Sequence, residues 1–213
     1  MIEHGRSADL SATMGAGRRH ACAFFRTPDE EFAVLLPFFR EGVERGDKLW
    51  YIVDPARRAE LLGRLEKAGI DTEALQRKGQ LDVFPWEEAH LRPGYFDQEA
   101  MLGLLDETMA GHRAQGFPLT RLWSNQEWAL RDVPGVSDIA EYEARYNALS
   151  ARHEDLTVCV YDLTRFGADL VMDLLRTHPL VIISGLLYEN PFFAQSDEFV
   201  AELRHRDDEV VPA

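Results

Sequence analysis

The chain has 213 residues, with 23 Lys and Arg against 37 Asp and Glu, and a formal net charge of −14. This acidic balance argues against nucleic acid or an anionic membrane surface as the main partner, because both require clustered positive charge. The length corresponds to one domain with short tails, and a core of this size folds without disulfides or a structural metal. The two cysteines, Cys22 and Cys159, lie in apolar runs, which predicts buried, reduced thiols in a cytoplasmic protein.

The two ends of the chain differ from its middle. Residues 1–17 are polar and rich in Gly, Ala and Ser, which predicts a flexible leader and not a signal peptide. Residues 195–213 form a charged tail in which Phe199, Val200 and Leu203 are spaced for one short helix. The longest apolar stretch, 180–187, is too short to span a bilayer. We therefore expect one domain over residues 18–194, with no membrane contact.

Between these ends, apolar runs alternate with segments of helical spacing. In chain order, the pattern predicts a strand at 20–25, a helix from Thr27 to Gly46, a strand at 48–54, a helix from Asp54 to Gly69, a short helix at 71–78 and a strand at 81–85. It then predicts a helix from Asp97 to Gly116, a strand at 119–124, a helix at 137–149, a strand at 155–162, a helix at 166–176 and a strand at 180–187. Such alternation with near-continuous apolar strands indicates an α/β fold: a three-layer, mostly parallel sheet with helices on both faces.

The turn after the first predicted strand lacks the residues of a phosphate-binding loop. Residues 25–31 read FRTPDEE, with no glycine and with three acids where a polyphosphate would lie. The sequence therefore does not favour nucleotide hydrolysis through a phosphate-binding loop as the function. The sequence also contains no GxGxxG, GxSxG, HExxH or paired CxxC motif.

Several polar residues lie in or beside the predicted strands and helices. They are His20 and Cys22 on one face of the first strand, Asn125, Glu127 and Trp128 after the fourth, Glu143 and Asn147 four apart on a helix, Tyr161 and Asp162 at the end of the fifth strand, and His178 before the sixth. Each has an ordinary structural explanation, such as a cap, a packed side chain or a solvated charge. For any one of them taken alone, that explanation is the commoner one.

Two chemical alternatives use the cysteines. His20, Cys22, Cys159 and His178 carry ligand types that suit zinc, but their spacing is not that of a compact zinc motif. A Cys–His nucleophile is disfavoured, because both thiols lie mid-strand, where access is poor and a thiolate is unfavourable. The favoured interpretation therefore contains no catalytic residue, no metal and no cofactor.

The motifs, in their order and spacing, resemble the MEDS domain, a sensory domain named for methanogens, methylotrophs and the regulator DcmR. The matching pieces are 20–25 (HACAFF), 41–46 (EGVERG), 79–81 (GQL), 94–97 (GYFD), 128–130 (WAL), 142–147 (YEARYN), 159–162 (CVYD), 176–179 (RTHP) and 188–193 (YENPFF). The resemblance implies a RecA/KaiC-like core without a phosphate loop, a role in prokaryotic signal transduction and a simple hydrocarbon derivative as ligand. Relatives often stand beside histidine-kinase-type, anti-sigma, STAS or DNA-binding modules. We see none of these in the sequence and expect a stand-alone sensor.

One position departs from the family pattern. Where the family usually has Gly-Glu-Met-x-Trp, this chain has Ser124-Asn125-Gln126-Glu127-Trp128, so that Asn125 replaces the glutamate and Glu127 is the nearest substitute. The predicted strands also place His20 and His178 at the opposite sheet edge from Asn125 and Asp162. We expect the pocket at the carboxyl-end residues, with the two histidines as further contacts.

Three functions are consistent with these observations. The first is a non-catalytic sensory domain that binds a small organic ligand through Tyr161, Asp162, Glu143 and Asn147, with the residues around Trp128 and the two histidines as further contacts. The second is a protein-interaction module for an anti-sigma or histidine-kinase-type regulator, which the acidic surface favours. The third is an enzyme that uses Asp162, Glu143 and His178, or a metal-binding protein. The aromatic cluster of Tyr188, Phe192 and Phe193 fits either a pocket wall or an oligomer contact.

Overall fold

The protein is described here from a computed structural model, which covers Met14 and residues 18–210. Most of the predicted leader and the last three residues therefore lie outside the described part of the chain. Met14 is buried among the apolar side chains on one face of the sheet.

Within the described residues, seven strands form one sheet. They are β1 (His20–Phe25), β2 (Lys48–Val53), β3 (Leu81–Pro85), β4 (Thr120–Asn125), β5 (Leu156–Asp162), β6 (Leu180–Ile183) and β7 (Leu186–Glu189). Their order across the sheet is β3–β2–β4–β5–β1–β6–β7, and all neighbours are parallel except β6 and β7. This confirms the mostly parallel α/β sheet. The predicted sixth strand at 180–187 is wrong as one element, because Ser184 and Gly185 adopt positive φ and turn the chain back into β7.

Seven helices accompany the sheet in the described part. They are α1 (Pro28–Arg45), α2 (Arg58–Lys67), α3 (Thr72–Arg77), α4 (Gln98–Ala114), α5 (Ile139–Ser150), α6 (Ala168–Thr177) and α7 (Ser196–Val210). Short 3₁₀ turns cover Pro55–Arg57, Trp86–Glu88, Glu127–Leu130 and Val136–Asp138. α1 begins as predicted, because Thr27 accepts a hydrogen bond from the Glu30 amide, and it ends at Gly46 with a left-handed φ of 75°.

The strands alternate their side chains between two apolar layers. One face packs against α1, α2 and α3, and the other packs against α4, α5 and α6. The register sets Cys22 beside Cys159 and Phe24 beside Tyr161, so these side chains project from the α4–α6 face. Helix α5 crosses that face of the sheet. Polar side chains on this face therefore lie beneath α5, and their hydrogen-bond partners must lie there too.

The C-terminal helix α7 is part of the packed structure and is longer than the short helix predicted. Phe199 is buried between Ala140 and Ala144 of α5. The Arg204 guanidinium also forms an ion pair with Glu141 at 2.7 Å. α7 is thus attached to α5 by both an apolar contact and an ion pair.

Candidate functional site

Four buried polar side chains meet beneath α5. His20 begins β1, Glu143 comes from α5, Cys159 lies in β5 and His178 stands just before β6. One nitrogen, sulfur or oxygen atom from each lies within 4.8 Å of the others, and all four residues are buried. We call these residues the four-donor cluster.

The glutamate carboxylate lies at the centre of the four-donor cluster. Glu143 Oε2 is 3.2 Å from His20 Nε2, 3.5 Å from His178 Nε2 and 3.6 Å from Cys159 Sγ. His20 Nε2 is also 3.4 Å from Cys159 Sγ. The other carboxylate oxygen, Oε1, accepts a hydrogen bond of 2.8 Å from the Tyr161 hydroxyl. Glu143 therefore connects the carboxyl half of β5 with the amino end of β1.

The hydrogen bonds of Asn147 fix which nitrogen of His20 carries a proton. Asn147 donates through Nδ2 to the Thr177 carbonyl at 2.7 Å, so its Oδ1 faces His20. His20 Nδ1 lies 3.1 Å from that Oδ1 and must donate to it. In the neutral imidazole, Nε2 then carries a lone pair that points into the four-donor cluster.

His178 is oriented in the same way by the backbone. Its Nδ1 lies 2.8 Å from the Leu174 carbonyl, which can only accept, so Nδ1 donates. Its Nε2 is buried and has no hydrogen-bond partner among the described residues. The Nε2 atoms of both histidines thus point at the Glu143 carboxylate.

Burial controls the charges in this cluster. Desolvation, together with the neighbouring His178, lowers the pKa of His20 to about 4, so this ring is neutral near pH 7. Burial alone would raise the pKa of Glu143, but the adjacent His178 and His20 rings hold it well below its usual range. Burial and the Glu143 charge raise the pKa of the Cys159 thiol. The site therefore concentrates negative charge and lone pairs in an apolar environment.

A small cavity adjoins the cluster, and Glu143 and Cys159 form part of its wall. It encloses about 10 Å³, which is room for about one water molecule. Among its walls are His90, Ser124, Gln126, Tyr142 and Glu143. Within the described structure, neither His90 Nδ1 nor Ser124 Oγ has a hydrogen-bond partner. The cavity thus presents free polar atoms within a mainly apolar wall.

The carboxyl ends of the strands hold a different arrangement. Glu31 of α1 accepts hydrogen bonds from Trp123 and Asn125, both at 3.1 Å, and forms an ion pair of 2.6 Å with Arg57. Glu127 is buried beside this pair, and burial raises its pKa to about 7. This network fills the region where a phosphate loop would hold its ligand.

The predicted site residues thus fall into two groups. His20, Glu143, Asn147, Tyr161 and His178 come together beneath α5. The remaining four, Asn125, Glu127, Trp128 and Asp162, lie elsewhere. Asp162 accepts hydrogen bonds from Thr164 in a turn and is not near Glu143 or His178, so the Asp162–Glu143–His178 constellation considered for an enzyme does not form.

Two residues take parts that differ from their predicted ones. Cys22 points its thiol at the Leu180 carbonyl, so Glu143, and not Cys22, completes the set of possible metal ligands. Trp128, predicted as a ligand contact, supports the cavity from behind, since it stacks on His90 at 4.6 Å and donates to Gln126. His90 and Ser124 were not singled out from the sequence, and the only signal for Ser124 was its alternation with Leu122 along β4.

Comparison with known proteins first defines the class of fold. The structure superposes on that of a KaiC-like protein from Pyrococcus horikoshii with a TM-score of 0.55 and 15% sequence identity, over 85% of this chain and 80% of that one. The protein therefore has the KaiC-like α/β fold, with an acidic turn in place of the phosphate loop.

The sequence comparisons then give the family. The pattern of the methanogen/methylotroph, DcmR sensory domain, MEDS, matches residues 19–179, and the chain belongs to this family. It is 28% identical over 160 residues to the transcriptional repressor DcmR of Methylorubrum extorquens. The match covers 75% of this chain and 57% of that repressor. Within the described residues, no helix is long and apolar enough to cross a membrane.

Proposed function

We propose that the chain is a non-catalytic sensory domain that binds a small organic molecule beneath α5, in the cavity beside Glu143. The observation that carries this proposal is the cavity itself. It lies in the core, it is mainly apolar, and it offers the unpaired Ser124 Oγ and His90 Nδ1 as polar contacts. A ligand of one or two carbons with one polar group matches this lining.

Binding in this cavity would move α5. Room for about one water is too little for an organic molecule, so its wall, which includes Tyr142 and Tyr146 of α5, must shift. A ligand that binds the shifted state better changes the populations of the two states. Asn147 of α5 also donates to Ser196 Oγ at the start of α7, at 3.3 Å, so the shift would reach the C-terminal helix.

Thermal unfolding with a ligand series tests this proposal. Small alcohols, haloalkanes and other one-carbon compounds are titrated while the melting temperature is followed. A ligand at about 100 times its Kd adds about 2.7 kcal/mol to the free energy of unfolding. Ser124→Ala should weaken the response to the polar compounds, whereas Ser137→Ala, an exposed serine distant in sequence, should leave it unchanged. No response to any compound would contradict the proposal.

Signal output through a protein partner is the second part of this proposal. The acidic balance of the chain fits a basic partner surface, such as one on an anti-sigma or histidine-kinase-type regulator. Such a complex should weaken as salt is added, because exposed charges are screened beyond about 10 Å at 0.1 M salt. A pull-down at low and high ionic strength measures this directly.

A further inference from the structure

We propose that the four-donor cluster of His20, Glu143, Cys159 and His178 is a binding site for one divalent transition-metal ion of the zinc type. No compact sequence motif marks this site, because the four residues come from three strands or strand ends and one helix. The inference goes beyond the organic ligand, which would occupy the neighbouring cavity that shares Glu143 and Cys159 with the cluster.

The spacing of the donor atoms fits tetrahedral coordination. Zinc bonds of about 2.0–2.1 Å to nitrogen and oxygen and about 2.3 Å to sulfur place neighbouring ligands about 3.3 Å apart, or about 3.6 Å where one is sulfur. Glu143 Oε2 lies 3.2 and 3.5 Å from the two Nε2 atoms and 3.6 Å from Cys159 Sγ. His20 Nε2 lies 3.4 Å from Cys159 Sγ. Four of the six edges therefore already have the required length, and the other two lie within 4.8 Å.

The outer hydrogen bonds match those of metal-bound residues. A ligating histidine usually donates its other N–H to a carbonyl or carboxyl oxygen, which fixes the ring and its tautomer. His20 donates to Asn147 Oδ1, and His178 donates to the Leu174 carbonyl. Tyr161 donates to the free oxygen of Glu143. Three of the four donors are thus held with their coordinating atoms turned inward.

The charge of the donor set also fits a divalent ion. Two neutral imidazoles, one carboxylate and one thiolate carry two negative charges, so the loaded centre is neutral. Metal binding converts the Cys159 thiol to a thiolate and releases its proton to solvent.

The ion would have a route to the site. His20 forms part of the wall of a groove of about 790 Å³ at the amino edge of the sheet, together with Asn147, Glu189 and Asn190. Four protein ligands leave no open coordination position, which is typical of structural or regulatory metal sites and not of catalytic ones. An ion here would hold α5 to β1, β5 and the start of β6.

Cobalt(II) binding tests the site through a matched pair of cysteines. The chelator-stripped full chain is titrated with Co²⁺, with visible and near-ultraviolet absorption as the readout. We expect one ion per chain, the intense bands of a tetrahedral site and a thiolate-to-cobalt charge-transfer band. Cys159→Ala should abolish that band and weaken binding more than about 100-fold, whereas Cys22→Ala should keep both. Asn147→Ala, which removes the hydrogen bond that orients His20 but none of the four donors, should weaken binding about 10–100-fold.

A second pair of variants covers the case in which Cys159→Ala does not fold. His178→Gln should lose the site, and His112→Gln, which removes another buried histidine on α4, should not. Circular dichroism of the metal-free variants checks that each is folded. Absence of Co²⁺ binding, or equal binding by the two cysteine variants, would overturn the inference. A response to organic compounds in stripped protein that binds no Co²⁺ would overturn the metal site and leave the proposed sensory function standing.

Discussion

At the scale of single residues, Glu127 is a buried acid whose carboxylate is only partly satisfied. Its Oε2 atom has no hydrogen-bond partner in the part of the chain that the structure describes. Burial, with a smaller contribution from Glu31, raises the pKa of Glu127 from 4.5 to about 7, against the opposing effects of a backbone hydrogen bond, Arg57 and Arg165. The folded protein therefore holds the proton of Glu127 more tightly than the unfolded chain does.

This difference makes stability depend on pH in a defined direction. Because the folded state binds more protons between pH 4.5 and about 7, the contribution of Glu127 to the free energy of unfolding falls as pH rises through that window. The full difference corresponds to about 3 kcal/mol. We expect Glu127→Gln to be more stable than the wild type above about pH 7.5, and the advantage to shrink towards about pH 5.

Denaturant unfolding of both proteins across this pH range measures the effect. Glu88→Gln is the matched control, because it makes the same chemical change at an exposed position, in the 3₁₀ turn Trp86–Glu88. A Glu127→Gln advantage that stays constant from about pH 5 to about pH 8 would show that the carboxyl group is equally solvated in both states.

At the scale of secondary-structure elements, the loop before α5 depends on one glycine. Gly135 has φ of 84°, and a Cβ built on it would lie 2.0 Å from the Phe96 carbonyl oxygen. Phe96 in turn packs on Trp128 at 4.3 Å and on Tyr142 at 5.2 Å, next to the cavity. The side chain of any other residue would therefore push this wall away from α5.

We expect Gly135→Ala to lower the free energy of unfolding by at least about 2 kcal/mol, because it combines left-handed backbone with a backbone clash. Gly103→Ala in α4 is the control for the same chemical change. Gly103 is exposed and nothing lies within 4 Å of its would-be Cβ, so alanine should stabilise the helix by about 0.5–1 kcal/mol. Opposite signs in urea unfolding would support this account, and equal effects would contradict it.

The bounds of the strands show how much of the fold could be predicted from the sequence. Strand β1 has the predicted bounds because its uninterrupted apolar run is buried on both faces. Strand β3 also has the predicted bounds, although Asp82 interrupts its apolar run and Phe84 is exposed. The β6–β7 hairpin was missed although Ser184-Gly185 is a turn signal, since the flanking apolar residues continue the run. The four-donor cluster was not predicted as a unit, although each of its residues was noted in the sequence. Its assembly depends on how far α5 lies along the sheet, which sets Glu143 against His20, and no local pattern encodes that distance.

At the scale of the whole molecule, the protein keeps a KaiC-like fold but fills its phosphate-loop position with charged side chains. Glu31 lies at the start of α1, where a helix N-terminus would receive a phosphate, and is already paired with Arg57. The turn also lacks the glycines whose backbone amides would surround a phosphate chain and the lysine that would contact it. Both the shape and the charge of the position thus oppose a nucleotide.

We therefore expect millimolar Mg²⁺–ATP or Mg²⁺–ADP to leave the melting temperature of the protein unchanged. Glu31→Gln separates the effect of charge from the effect of backbone shape, because it removes the negative charge and keeps the turn. The variant should remain unresponsive, since a P-loop site also needs backbone amides that this turn does not present. A saturable rise in melting temperature for Glu31→Gln alone would assign the loss of nucleotide binding to charge. A rise in the melting temperature of the wild type would mean that this protein still binds a nucleotide, and that the cavity beneath α5 is not its main ligand site.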